Sequence, residues 1–291
     1  MQTDKKTLLA YTILLAACVV WGSAFVPQKT AMEATGAFSY GGARLILGGL
    51  SLLLLNLFAR KKFNREIFVH GTILGIFLFL GTSTQQIGMQ YTSATNGGFI
   101  TGLYLLFVPL IITFYQRQRL SYALWVGAVL CLGGLALLCL TEGVELNKGD
   151  VWILACALLF SLHILCIDKF VVKNDFLPLA ITQFFVAGVL GTACALILEF
   201  ESIPGIELAW KEILYGGLAS IGFAHTAQMF SQKYIAAEKA ALVCSLESVF
   251  AAITGWYFLS ESLNNIQLFG CIMMFLGSAL ACFQGSKIQS S

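Results

Sequence analysis

The 291-residue sequence is 58% hydrophobic and 11% charged, with a mean hydropathy of +0.83. So few polar groups cannot cover the surface of a water-soluble globule of that size. A formal net charge of +2 is too small to imply a nucleic-acid partner, and no alternation of apolar and polar residues indicates a β-barrel. What remains is an all-α membrane protein that sits in the lipid bilayer.

Helices that cross a hydrocarbon core of about 30 Å need about 20 apolar residues each. Apolar windows and their polar punctuation predict ten such helices, over residues 8–27, 36–58, 67–88, 96–115, 122–140, 151–167, 177–198, 213–230, 240–259 and 266–283. Lys5 and Lys6 before the first run superficially resemble a signal peptide. That run continues too far, and too many apolar segments follow it, so it reads as a retained first span. Placing the N-terminus inside puts thirteen Lys and Arg residues on the cytoplasmic side and leaves three outside, Lys29, Lys148 and Lys211. Both termini are therefore expected in the cytoplasm, and the protein in the cytoplasmic (inner) membrane as a multi-pass chain. Nine cysteines all fall in predicted spans without a Cys-x-x-Cys pair and read as unpaired packing thiols, not metal ligands.

Sliding the chain on itself by 143 positions places Tyr91 on Tyr234, Leu103 on Leu246 and Phe107 on Phe250. A shift of 139 places Trp21 on Phe160, Arg44 on Gln183 and Gly49 on Gly188. Both shifts divide ten spans into five and five, with a boundary between residues 1–145 and 146–291. An odd number of spans per copy makes the second copy cross the membrane in the opposite sense. Loop charges agree: the basic loop 60–65 corresponds to the acidic loop 199–212. Inverted repeats with a binding site near the midplane between them are the plan of many secondary transporters. Glycine pairs seven apart, Gly41 with Gly48, Gly42 with Gly49 and Gly270 with Gly277, fit close helix contact.

Trp21-Gly22-Ser23-Ala24-Phe25 in the first span, and SLESVFAAITGWYFLSESL over 245–263 followed by Gly270 and Gly277, resemble the EamA-type ten-helix branch of the drug/metabolite transporter superfamily. The resemblance covers nearly the whole chain. It implies two inverted five-helix repeats around a central cavity, alternating access, no cofactor, no catalytic residue, and export of amino acids or related polar or amphipathic compounds. A multidrug or cation exporter of the same fold is the alternative. The family usually has Glu-Pro where this chain has Glu247-Ser248, so the proline kink is expected to be missing here.

Arg44, His163, His225 and Glu247 are ionisable and lie well inside spans. A carboxylate at the bilayer centre costs about 2.5–3.5 kcal/mol on insertion scales, so Glu247 is expected to face a partner or a polar cavity. Counted from the outer ends at 1.5 Å per residue, His163, His225 and Glu247 share a layer roughly 18 Å deep. Tyr104 matches Glu247 at the 143-residue shift. With Gln228 one turn beyond His225, and Trp21 as an aromatic wall, these seven residues form the candidate substrate site, and Phe25 and Phe160 are further aromatic residues on interior stretches. Protonation of Glu247 or a histidine supplies a route to proton coupling. A monomer and a homodimer are equally compatible with the sequence. Hydrolase, metalloprotease and phosphate-loop motifs are absent, which disfavours a membrane enzyme, whereas a polar-lined channel remains a rival class.

Overall fold

The computed structural model describes residues 5–92, 94–139, 147–259 and 263–283. Within them the regular structure is helical, with no strand. Helix α1 runs Lys5–Ala34, α2 Ala37–Ala59 and α3 Arg65–Met89, followed by α4 Ala94–Gly102, α5 Tyr104–Phe114 and α6 Tyr122–Cys139. Then come α7 Lys148–Val171, α8 Phe176–Leu198, a 3-10 segment Phe200–Ile206, and α9 Trp210–Tyr215. A π-helical segment Gly216–His225 links α9 to α10 Thr226–Gln232, and α11 Ala237–Cys244, α12 Glu247–Leu259 and α13 Asn265–Phe283 complete the chain.

Seven described helical segments are long and apolar enough to cross a membrane. The expectation of ten uninterrupted helices is corrected at three places. Segment 96–115 breaks at Leu103, segment 213–230 passes through the π-helix, and segment 240–259 breaks at Ser245 and Leu246. The last break also corrects the expected loss of the kink, since no proline is needed to make it. Ser245 Oγ donates to the Leu242 carbonyl at 2.8 Å, and Leu246 N and Ser248 N reach back three residues instead of four, to Val243 and Ser245. A hydroxyl competing for a helix carbonyl loosens the local ladder. In the other direction, α1 does not end at Pro27 but runs through it to Ala34. Spanning helices accommodate proline where neighbours satisfy the freed groups.

Polar caps fix the ends at one side of the bundle. Glu199 Oε2 accepts from the amides of Phe38 and Ser39, both at 3.0 Å, placing negative charge at the α2 N-terminus. Lys29 Nζ donates to the carbonyls of Met89, at 2.7 Å, and Thr92, at 3.0 Å, covering the end of α3. Asn147 and Asp150 form a capping box for α7, and Thr92 Oγ1 donates to Asp150 Oδ1 at 2.7 Å.

Between helices the contact is close wherever glycine removes a side chain. A Cβ on Gly134 would lie 2.4 Å from the Gly270 carbonyl, and one on Gly277 2.6 Å from that of Gly127, so α6 and α13 meet backbone to backbone. Gly42 meets Thr192 of α8 at 2.8 Å in the same sense, whereas a Cβ on Gly41 would meet nothing within 4 Å. The eight cysteines with described side chains are free, and the Cys139 side chain, residues 140–146 and Glu261 lie outside the described residues.

Candidate substrate cavity

The two broken segments put their polar residues at matching places. Tyr104 opens α5 and Glu247 opens α12, and the Tyr104 hydroxyl donates to Glu247 Oε1 at 2.9 Å. These residues are 143 apart, the shift that relates the two halves of the sequence. Glu247 is 6% exposed and Tyr104 4%, so the pair is held inside the bundle. A hydrogen bond to a charged group nets about 1.5–3 kcal/mol. Removing an ion from water costs several kcal/mol even after relaxation. One hydroxyl therefore does not compensate an ionised Glu247.

Around this pair lies a cavity with about 590 Å³ of empty space, counting its open part. All seven residues singled out as the candidate site line it: Trp21, Arg44, Tyr104, His163, His225, Gln228 and Glu247. Phe25 and Phe160 also line it. The Trp21 and His225 rings meet edge to face with centroids 5.0 Å apart, and His225 lies 6.3 Å from His163. His163 Nε2 bonds to Gln183 Oε1 at 3.0 Å, and since that oxygen only accepts, His163 carries its proton on Nε2. Gln183 Nε2 in turn reaches Met229 Sδ at 2.9 Å. His225 differs, because its Nδ1 is buried without a partner.

Arg44 is 2% exposed, and its Nε likewise has no hydrogen-bond partner. Its guanidinium lies against the Tyr40 ring, with Cζ 4.9 Å from the centroid. A cation–π contact contributes about 0.5–2 kcal/mol, less than the desolvation of the charge.

Sequence reasoning missed the neutral part of the lining. Gln28, Thr82, Gln85, Thr101 and Ser220 face the cavity, and none stands out by charge. A usable signal was the Gln85-Gln86 pair in an apolar span: Gln86, buried beside the cavity wall, donates from Nε2 to Gln28 Oε1. Ser220 reaches the cavity from the π-helical segment, a local widening that periodicity does not reveal.

Along α1 the cavity keeps to one half of the helix. Its α1 residues, Trp21, Phe25 and Gln28, belong to the second half of that helix. In the first half, Ala10, Leu14 and Cys18 are fully buried in an apolar cluster with Ile112, Ile235 and Ala240. Polar ties cross the same region, Ser231 Oγ to the Ala10 carbonyl at 2.8 Å and Gln232 Nε2 to the Ile164 carbonyl at 2.9 Å.

A polar, aromatic-lined cavity inside a multi-pass helical bundle suits the passage of a solute, and comparison with known proteins identifies the class. The sequence profile of the EamA-like transporter family matches residues 8–140 and again 147–283. The chain belongs to that family, and it is a transporter, not an enzyme.

Among its relatives, an uncharacterized transporter of Archaeoglobus fulgidus is 29% identical over 93% of this chain and 85% of its own. The S-adenosylmethionine/S-adenosylhomocysteine transporter of Chlamydia muridarum is 27% identical over 94% of this chain and 91% of its own. A protein of known crystal structure superposes with a TM-score of 0.79 over 97% of this chain and 99% of its own, at 18% identity, which shows a shared fold.

Proposed function

We propose that this chain is a secondary carrier that exports a small polar or amphipathic metabolite, such as an amino acid or a related compound, across the cytoplasmic membrane by alternating access. In this reading, residues 1–145 and 146–291 form two inverted five-helix repeats with both termini cytoplasmic. The double family match supports the division, and so does the packing, in which the proposed counterparts touch each other. Tyr104 meets Glu247, and Cys131 Sγ reaches the Met274 carbonyl at 3.4 Å, again 143 residues on. Likewise α2 packs on α8 and α6 on α13.

One observation carries the functional reading: the polar-lined cavity takes its α1 residues from the second half of that helix, while the first half packs in an apolar cluster that adjoins the cavity and acts as a seal. With the N-terminus inside, the cavity serves the outer side and the seal is cytoplasmic, as in one of the two states of a carrier. A pore open at both ends would not require that seal. Protonation of Glu247 is the proposed coupling step, because it removes a charge whose burial is costly and adds an O–H donor in the cavity.

The substrate is to be found by thermal-shift screening of the purified protein. The panel holds amino acids, nucleosides, amphipathic amines and, in view of the Chlamydia relative, S-adenosylmethionine. Uptake into proteoliposomes with the best hit then tests the reading. Saturable flux supports a carrier, whereas ion conductance without saturation would replace it with a channel.

A further inference from the structure

Arg44 is a buried cation on the cavity wall whose Nε has no hydrogen-bond partner. Among the described residues no carboxylate lies within ion-pairing distance of it. The carboxylate that shares its cavity, Glu247, accepts from Tyr104 instead. The Tyr40 ring face beneath the guanidinium offsets only part of the charge. Gln183, aligned with Arg44 at the 139-residue shift, shows the contrast: it is fully buried and both ends of its amide are partnered, by His163 and Met229. A polar side chain serving the fold is thus satisfied at the aligned place, whereas Arg44, which also interacts with the Tyr40 side chain, leaves its Nε without a partner. A planar, permanently charged fork is suited to bidentate binding of a carboxylate or phosphate.

We infer that the ligand of this cavity carries an anionic group, a carboxylate or a phosphate, that docks on Arg44 with its planar or apolar body against Trp21 and Phe160. This rests on reading the cavity as the substrate site, and it excludes a purely cationic cargo. It also gives the two buried charges different tasks: Arg44 selects the anion, and Glu247 answers to protons or to a donor on the ligand.

The test uses the full-length protein in detergent and three probes with a similar aryl body, 3-phenylpropionate, phenyl phosphate and phenethylamine. Both anions should raise the melting temperature of the wild type, the stronger one identifying carboxylate or phosphate as the natural group, and phenethylamine should not. Arg44→Met should weaken the anions about tenfold or more, and Arg44→Lys, which keeps the charge, should retain part of the binding. Without ligand, Arg44→Met should melt at or above the wild-type temperature, because it removes a buried charge that the Tyr40 side chain compensates only in part.

Stabilisation by phenethylamine equal to that by phenylpropionate would overturn the inference, as would no response to either anion or a ligand-free Arg44→Met that melts several degrees lower. Arg44-dependent anion binding without proteoliposome flux of any compound would sink the carrier reading and leave this inference standing. Saturable flux of cations, indifferent to Arg44→Met, would do the reverse.

Discussion

Tyr104 and Glu247 share a direct hydrogen bond in the cavity, and the energetics of the pair are open to direct measurement. Tyr104→Phe leaves the Glu247 carboxyl buried without the 2.9 Å hydroxyl. A buried polar group that loses its partner costs about 1–3 kcal/mol, so this variant should melt several degrees below the wild type. Glu247→Gln removes the charge and keeps a group of the same shape, so it should cost less or raise the melting temperature. In the double variant the loss due to Tyr104→Phe should shrink by about 1 kcal/mol or more, since contacting residues are not additive. Additive melting shifts would mean that the contact has no energetic weight. At this scale the sequence was informative about charged residues and, beyond Trp21, Tyr104 and Gln228, said little about the neutral lining. Glu247, Arg44 and the histidines stand out in apolar runs because charge is expensive there, whereas Thr101 and Ser220 are common in spanning helices and reveal nothing by type.

Glycines and helix breaks decide how the elements approach one another. Gly134→Leu places a branched side chain against the Gly270 carbonyl, which would stand 2.4 Å from its first atom, and must force α6 and α13 apart. Overpacking of this kind costs about 1–3 kcal/mol. The variant should therefore melt well below the wild type in detergent. Gly41→Ala is the control on α2: its Cβ meets nothing within 4 Å, so it should be neutral or slightly stabilising through better helix propensity. Equal losses for the two would contradict the packing described.

Heptad-spaced glycines made the close faces readable in the sequence, although spacing alone did not separate Gly42, which touches Thr192, from Gly41, which touches nothing. The breaks were less legible. The π-helical segment and the loosened turn at Ser245 arise from local competition for carbonyls and from tertiary packing, and apolar periodicity runs through both without a signal. Proline is likewise a poor guide in this chain, since α1 continues through Pro27 while the α11–α12 break has no proline.

For the whole molecule, the two halves of α1 behave differently. Ala10 is fully buried in the seal, and Gln28 lines the cavity from the other half. Single cysteines at these places, in a variant whose native cysteines are replaced, should label oppositely. A membrane-impermeant thiol reagent outside should modify Gln28→Cys and spare Ala10→Cys, and a transported ligand should slow the first reaction severalfold. The all-helical membrane class was legible from composition and apolar windows, because membrane helices advertise themselves by length and hydropathy. Which half of α1 lines the cavity was not legible, because that depends on how the helices pack.

Counterflow tests the central claim most directly. Proteoliposomes loaded with unlabelled ligand from the thermal-shift screen are diluted into a trace of labelled ligand. A carrier with one alternating site predicts transient accumulation of label above equilibrium. Ser220→Trp, which fills the cavity from the π-helical segment, should abolish that overshoot while the protein still melts cooperatively. Equilibration of label without an overshoot in the wild type, or an undiminished overshoot in Ser220→Trp, would contradict the account.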